Sequence, residues 1–269
     1  MDSRKNFDKL NSAFRSSLVL WEDPKQKEYV QLIIRRDFLR SEADDIGIMY
    51  HKLFGTLLLG IEREVLYYTK LGLMIEYYQK AINQGEKVDP SELEQYVKEH
   101  TQGNESKLND LFGRVLKSML SLEASKEDVK EAKVVYRRLA KKIHPDINRK
   151  MSENPEIKAL WSQIQEAYEE VDVERLKELE ILVERKLSNS SNANLDLEIP
   201  DIEAKIKKFQ SEIYNIVTTK PYVLMSVIIP EENAEMERER LEKMLAMYRS
   251  MCKGREEVLE EKKREVENE

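Results

Sequence analysis

The chain has 269 residues, 36% of them charged, with 45 Lys and Arg against 52 Asp and Glu for a formal net charge of -7. That balance argues against a general nucleic-acid surface, and a single cysteine excludes an intrachain disulfide. Only 8 Gly and 7 Pro occur, and neither a series of alternating strands, a secretory signal nor an apolar run of membrane-spanning length is found, so an all-α cytoplasmic protein with no membrane span is expected.

Residues 1–24 read as an N-terminal arm. After Pro24 no proline occurs up to Asn83, and Tyr50, Phe54, Leu57, Ile61, Val65, Tyr68, Gly72, Ile75, Tyr78 and Ile82 recur three or four apart. That period is helical. It allows one very long helix or two with a break near Gly47, ended at Asn83-Gln84-Gly85. A second helix starts at Asp89-Pro90 and continues with interruptions near Gly103. Returning beside the first, it makes a long antiparallel helical hairpin over residues 25–107, whose aromatic seam reads as core.

From Ser125 to Ile143 neither Gly nor Pro occurs. Ser125 is placed to cap with Asp128, and Val129, Ala132, Val135, Leu139 and Ile143 form one apolar stripe. Lys130, Lys133, Arg137, Arg138, Lys141 and Lys142 occupy the other faces with few acids among them, a cationic ridge aimed at solvent. Pro145 has no N–H and drives His144 out of the helical region, so the helix ends there and leaves His144, Pro145 and Asp146 on a corner. After a polar loop, Asn154 and Pro155 start another helix with Ile157, Leu160, Trp161, Ile164, Ala167, Tyr168 and Val171 on its apolar face. The two helices bury Leu139, Ile143, Trp161, Ile164 and Tyr168 between them.

Downstream, the short polar run from Leu187 to Asn194 marks a linker, placed at 188–200. Residues 201–269 read as a helical, coiled-coil region. Ile202, Ile206, Phe209, Ile213 and Ile216 form one stripe. Tyr222 to Ile229 is expected to be a buried connector. The final helix, from Glu231, puts Leu241, Met244, Leu245, Tyr248, Met251, Cys252, Val258 and Leu259 on one face, as an antiparallel coiled-coil partner or a dimerisation helix.

The string Tyr136-Arg137-Arg138-Leu139-Ala140-Lys141-Lys142-Ile143-His144-Pro145-Asp146, followed by Trp161, Ile164 and Ala167-Tyr168-Glu169, resembles the J-domain family of DnaJ-type co-chaperones. The likeness covers about residues 108–187 and is specific over 129–171. Ile143 stands where the family usually has an aromatic, and Ile147 where it often has a basic residue. The family's Tyr-x-x-Leu-Gly helix is absent, leaving Leu116 to Leu122, or the stretch from Leu108, to replace it.

The resemblance implies that a DnaK-type ATPase chaperone is the partner. Lys133, Tyr136, Arg137, Arg138, Lys141, Lys142, His144, Pro145, Asp146 and Asn148 would meet it, with Asp146 accepting charge-assisted bonds from a chaperone arginine. Leu139, Ile143, Trp161, Ile164, Ala167 and Tyr168 would form the J-domain core. The helical arms would hold a protein client or a second copy of the chain. The alternative is a helical scaffold or assembly protein whose J fold is structural only. His51 and His100 stand isolated, Asp44-Asp45 and Glu62/Glu64 fit solvated helix faces, and no phosphate-binding glycine loop or nucleophile elbow occurs. The sequence therefore implies no metal, no cofactor and no enzyme activity of its own.

Overall fold

The computed structural model describes residues 23–121, 124–148, 154–188 and 201–268. The arm up to residue 22, the loop 149–153 and the linker from 189 to 200 lie outside them. Among the described residues there are helices and turns and no strand, and no helix is long and apolar enough to cross a membrane.

Helix α1, Pro24–Gln84, is continuous for 61 residues. Gly47 lies inside it and does not break it, since one interior glycine costs a helix only about 1 kcal/mol. Termination comes at Gly85, whose φ is +65°. There the Gly85 N–H bonds to the Ile82 carbonyl at 3.2 Å and the Glu86 N–H to Ala81 at 3.0 Å, a left-handed close that glycine adopts without a Cβ clash. Helix α2, Pro90–Leu120, is capped by the Asp89 carboxylate, which accepts from the Ser91 N–H at 2.7 Å and the Glu92 N–H at 3.2 Å. It runs through Gly103 without the expected interruption: nothing crowds that position, and propensity alone is too weak to stop a helix packed along its length.

The chain forms two compact units, divided within α1 between Ala43 and Asp44. In the unit that begins at Asp44, α2 lies antiparallel to α1. The Tyr77 hydroxyl donates to Glu92 at 3.2 Å, Lys70 pairs with Glu105 at 2.6 Å, and Gly55 faces Val115 further from the turn. A 3-10 turn, Tyr222–Leu224, and a short helix α7, Met225–Ile228, follow Pro221 in this unit. Only Ile228 of this stretch is buried, with Val223 and Ile229 exposed and Tyr222, Leu224, Met225 and Val227 half-buried, so the stretch is half-exposed where a buried connector was expected.

The last helix, α8, Glu231–Asn268, packs on α1. Its polar contacts pair Tyr50 with Glu237, Glu64 with Arg249, Tyr67 with Glu256 and Tyr68 with Arg255, all separated by 185 to 189 residues. A constant separation means that the two helices run parallel, not antiparallel as the sequence suggested. Periodicity fixes which face is buried and carries no information about direction. Within this unit Phe54, Ile61 and Leu241 form one buried cluster, and Leu71, Cys252 and Leu259 another.

The other unit takes the start of α1 together with α3, Lys126–Ile143, α4, Pro155–Glu169, α5, Val173–Ser188, and α6, Ile202–Thr218. Helix α4 is antiparallel to α3: Trp161 lies against His144, and Tyr168 stacks on Tyr136. Helix α5 is parallel to α3, with Arg138 on Glu180 and Lys142 on Glu184, both 42 residues apart. Ile33, Leu139, Ile143, Ile147, Ile164, Leu176, Leu179 and Val183 are fully buried in one core. Tyr29, Val30, Ile33 and Ile34 of α1 join that core, whereas Leu108 to Leu120 lie in α2 and cluster with the other unit.

Candidate docking corner

The corner is built by the end of α3. Ser125 caps its start, accepting from the Asp128 N–H at 3.0 Å. At the far end the His144 N–H closes on the Ala140 carbonyl at 3.0 Å. Pro145 stops the ladder, and the His144 carbonyl then accepts from Ile147 N–H at 3.0 Å and Asn148 N–H at 2.8 Å. Ile147, which stands where the family often has a basic residue, is a fully buried anchor of this turn. Burying its side chain is worth about 2 kcal/mol and fixes the turn to the core.

His144 is only 4% exposed and lies edge-on to Trp161 at 4.6 Å. Its Nδ1 accepts from the Asp146 N–H at 3.0 Å, so the proton sits on Nε2, which donates to Asp37 Oδ2 at 3.1 Å. The Tyr136 hydroxyl donates to the same Asp37 oxygen at 3.0 Å. The other oxygen, Oδ1, accepts from Arg36 Nε at 2.9 Å and Nη2 at 2.8 Å. Burial opposes charge on Asp37, but the bond from His144 and the neighbouring Arg36 outweigh it and hold its carboxyl below the usual carboxylate range. Burial likewise pushes the Tyr136 hydroxyl up, with the Asp37 carboxylate adding to it.

Arg36 reaches past Asp37 to the corner itself. Its Nη1 donates to Asp146 Oδ2 at 3.3 Å and lies 3.6 Å from Glu212 Oε2, while the guanidinium carbon sits 4.7 Å from the centre of the Phe209 ring. The Tyr29 hydroxyl donates to the Asp146 backbone carbonyl at 3.1 Å. The side chain of Asp146 remains 45% exposed. A guanidinium buried among three carboxylates, from α1, the corner and α6, therefore holds one edge of a half-open aspartate.

The expected docking residues fall into four groups. Asp146 and Arg137 reach the surface, with Arg137 lying 5.4 Å over the Phe38 ring, and Pro145 is half-buried. Lys133 and Lys141 are half-buried as well. The ridge is less bare than the sequence suggested, because Glu180 binds Arg138 through two bonds of 2.7 and 2.6 Å and Glu184 binds Lys142 at 2.8 Å. Those acids come from α5, which no local pattern around α3 reveals. Tyr136, His144 and Asn148 lie inside. Tyr136 is 2% exposed and stacked on Tyr168 at 4.3 Å, and the Asn148 amide donates to the Lys142 carbonyl at 3.4 Å. Leu139, Ile143, Trp161, Ile164, Ala167 and Tyr168 are all buried in the core of the unit.

Sequence reasoning missed Arg36 and Asp37. The signal was present: Tyr29, Val30, Ile33 and Ile34 are a helical stripe, and Arg36 and Asp37 continue its spacing with charge. A cation and an anion at core-facing positions point to a buried paired site. His51 lies in α1 and His100 in α2, and no group of three or more His, Cys, Asp or Glu among the described residues is set to hold a metal.

Residues 118–178 match the family model described as DnaJ domain. The matched segment runs from the last residues of α2 through α3, the corner and α4 to the start of α5. Searches of curated proteins and of solved structures find no match to the chain.

Proposed function

With a J domain over residues 118–178, we propose that the chain is a co-chaperone that docks on a DnaK-type ATPase through Asp146 and the basic face of α3 and stimulates ATP hydrolysis by that partner. The observation that carries this reading is the Asp146 carboxylate. It stands on a turn fixed by Ile147, half exposed, with its Oδ2 in contact with Arg36. A docked arginine would add a charge-assisted bond there, and the lysines and arginines of α3 would steer the approach. The chaperone performs the chemistry; this chain biases its conformational equilibrium. The long helices beyond Asp44 would carry a client or a second copy.

Single-turnover ATP hydrolysis by the DnaK-type chaperone of the same organism tests it. Wild-type chain is expected to raise the rate, and Asp146→Asn to abolish the rise while leaving helix content intact, since losing one such contact costs a few kcal/mol of docking. Equal basal rates with both folded proteins would overturn the proposal. A second reading, a scaffold whose J domain is structural, is favoured by one observation: His144 is buried and bonded to Asp37, which makes part of the corner a piece of the core. That outcome is its signature.

A further inference from the structure

We propose that Arg36 is an internal competitor for the docking carboxylate, so that this J domain is attenuated by its own first helix. The inference rests on the docking role of Asp146 proposed above and names what regulates it. A cation arriving from a partner meets an Asp146 whose Oδ2 already accepts from Arg36 Nη1 at 3.3 Å. Arg36 is no surface side chain that drifted into reach. It is 7% exposed, fastened to Asp37 through Nε and Nη2, laid on the Phe209 ring, and carried on a helix whose Tyr29, Val30, Ile33 and Ile34 are buried in the same core.

The geometry also supplies the release. Nη1 is the one nitrogen of the guanidinium that Asp37 does not hold, and it lies between two carboxylates, Asp146 at 3.3 Å and Glu212 at 3.6 Å. A partner cation that takes Asp146 leaves Nη1 to Glu212, a shift within contact distance that keeps the Asp37 pair and leaves α1 seated. Nothing needs to unfold. The charges facing Nη1 are Asp37 on α1, Asp146 on the corner and Glu212 on α6, with Arg40 at 3.2 Å and Lys208 at 3.8 Å competing for Glu212. With Arg36 the site carries three negative charges, Asp37, Asp146 and Glu212, and three positive ones, Arg36, Arg40 and Lys208, so Arg36 cancels the one net negative charge that a partner would otherwise meet. An attenuated site has a function in a regulated co-chaperone: docking proceeds only where the partner's own cation outcompetes the internal one.

Removing Arg36 alone would strand a buried Asp37, so the test replaces both with neutral shapes, Arg36→Gln with Asp37→Asn, in the full-length chain. Helix content and melting are checked by circular dichroism. Affinity for the ATP-bound DnaK-type chaperone is then titrated for wild type, this double variant, Glu212→Gln and Asp146→Asn. The double variant is expected to bind about tenfold tighter, the equivalent of one released charge-assisted bond of about 1.4 kcal/mol. Glu212→Gln, which removes the negative charge of the alternative seat of Nη1, is expected to bind several-fold weaker. Unchanged or weaker binding by a folded double variant, with Asp146→Asn still defective, overturns the competition and leaves the docking reading standing. Binding by no variant, or equal binding by all four, overturns both. A Glu212→Gln variant that binds like wild type overturns the release route, because a structural role for Glu212 moves melting and not affinity.

Discussion

The two units handle charge in opposite ways. Around the corner, Arg36 and His144 are buried, Asp37 is nearly so, and both Asp37 oxygens are answered: Tyr136 and His144 on one, Arg36 on the other. Along α1 beyond Asp44, the ion pairs sit at the edges, as with Lys70 on Glu105 and an exposed Arg249 on Glu64. The buried clusters there are two separate small ones spaced along the helices, with further buried residues such as Leu59, Val97 and Val115 belonging to neither. One unit is a single interlocked core, in which a change at α4 reaches the corner through shared partners. The other is layered, so a change in one layer stays there. Networks of buried polar groups couple their members strongly, whereas groups sharing no partner act additively.

Trp161→Ala breaks the comparison where it is strongest. The indole lies 5.5 Å from Tyr136 and 4.6 Å from His144, ring centre to ring centre, so its removal opens a cavity under the corner and frees the imidazole. A loss of about 3–5 kcal/mol is expected, read by denaturant unfolding, together with loss of docking. A loss below about 1 kcal/mol would mean that the core repacks freely and is not interlocked.

This coupling explains which parts of the molecule were legible. Helix ends were, because their chemistry is local: Asp89 before Pro90, Ser125 three residues before Asp128, Asn154 before Pro155 and Gly85 after Gln84 each act within one turn. The stripe of Leu139, Ile143, Ile164 and Tyr168 was legible for the same reason. What the sequence hid depends on partners far along the chain. Arg36 meets Asp146 across 110 residues, Glu180 and Glu184 reach α3 from 42 residues away, and the parallel seating of α8 on α1 spans about 187. Such pairings are set by tertiary packing, and the only local trace is charge at a position where the helical period calls for an apolar residue.

Gly55→Ala probes the layered unit. A Cβ built there would lie 2.7 Å from Val115 Cγ1 and 2.8 Å from Cγ2, too close without movement of α2. Overpacking of this kind costs about 1–3 kcal/mol, offset by up to about 1 kcal/mol of helix propensity that alanine brings. A net loss of about 1–2 kcal/mol is expected, recovered in part by pairing it with Val115→Ala, while affinity for the chaperone stays at the wild-type value. A docking defect in folded Gly55→Ala would show that the two units are coupled after all.

The mildest perturbation changes one proton and moves no heavy atom. Burial raises the Asp37 carboxyl and its bonds with His144 and Arg36 more than compensate, so the folded value lies below the unfolded one. A group depressed in this way contributes stability that is complete above the unfolded carboxylate value of about 3.9 and is lost as pH falls through the folded value. The melting temperature of the wild type minus that of Asp37→Asn is therefore expected to shrink as the pH falls below about 4. Salt distinguishes the two units in the same experiment. At about 1 M ionic strength the Debye length falls to about 3 Å, which screens exposed pairs and leaves a buried one largely intact. The Asp37-dependent difference is expected to survive that salt. Its disappearance would place Asp37 in contact with solvent and remove the polar interlock that distinguishes this unit from the other.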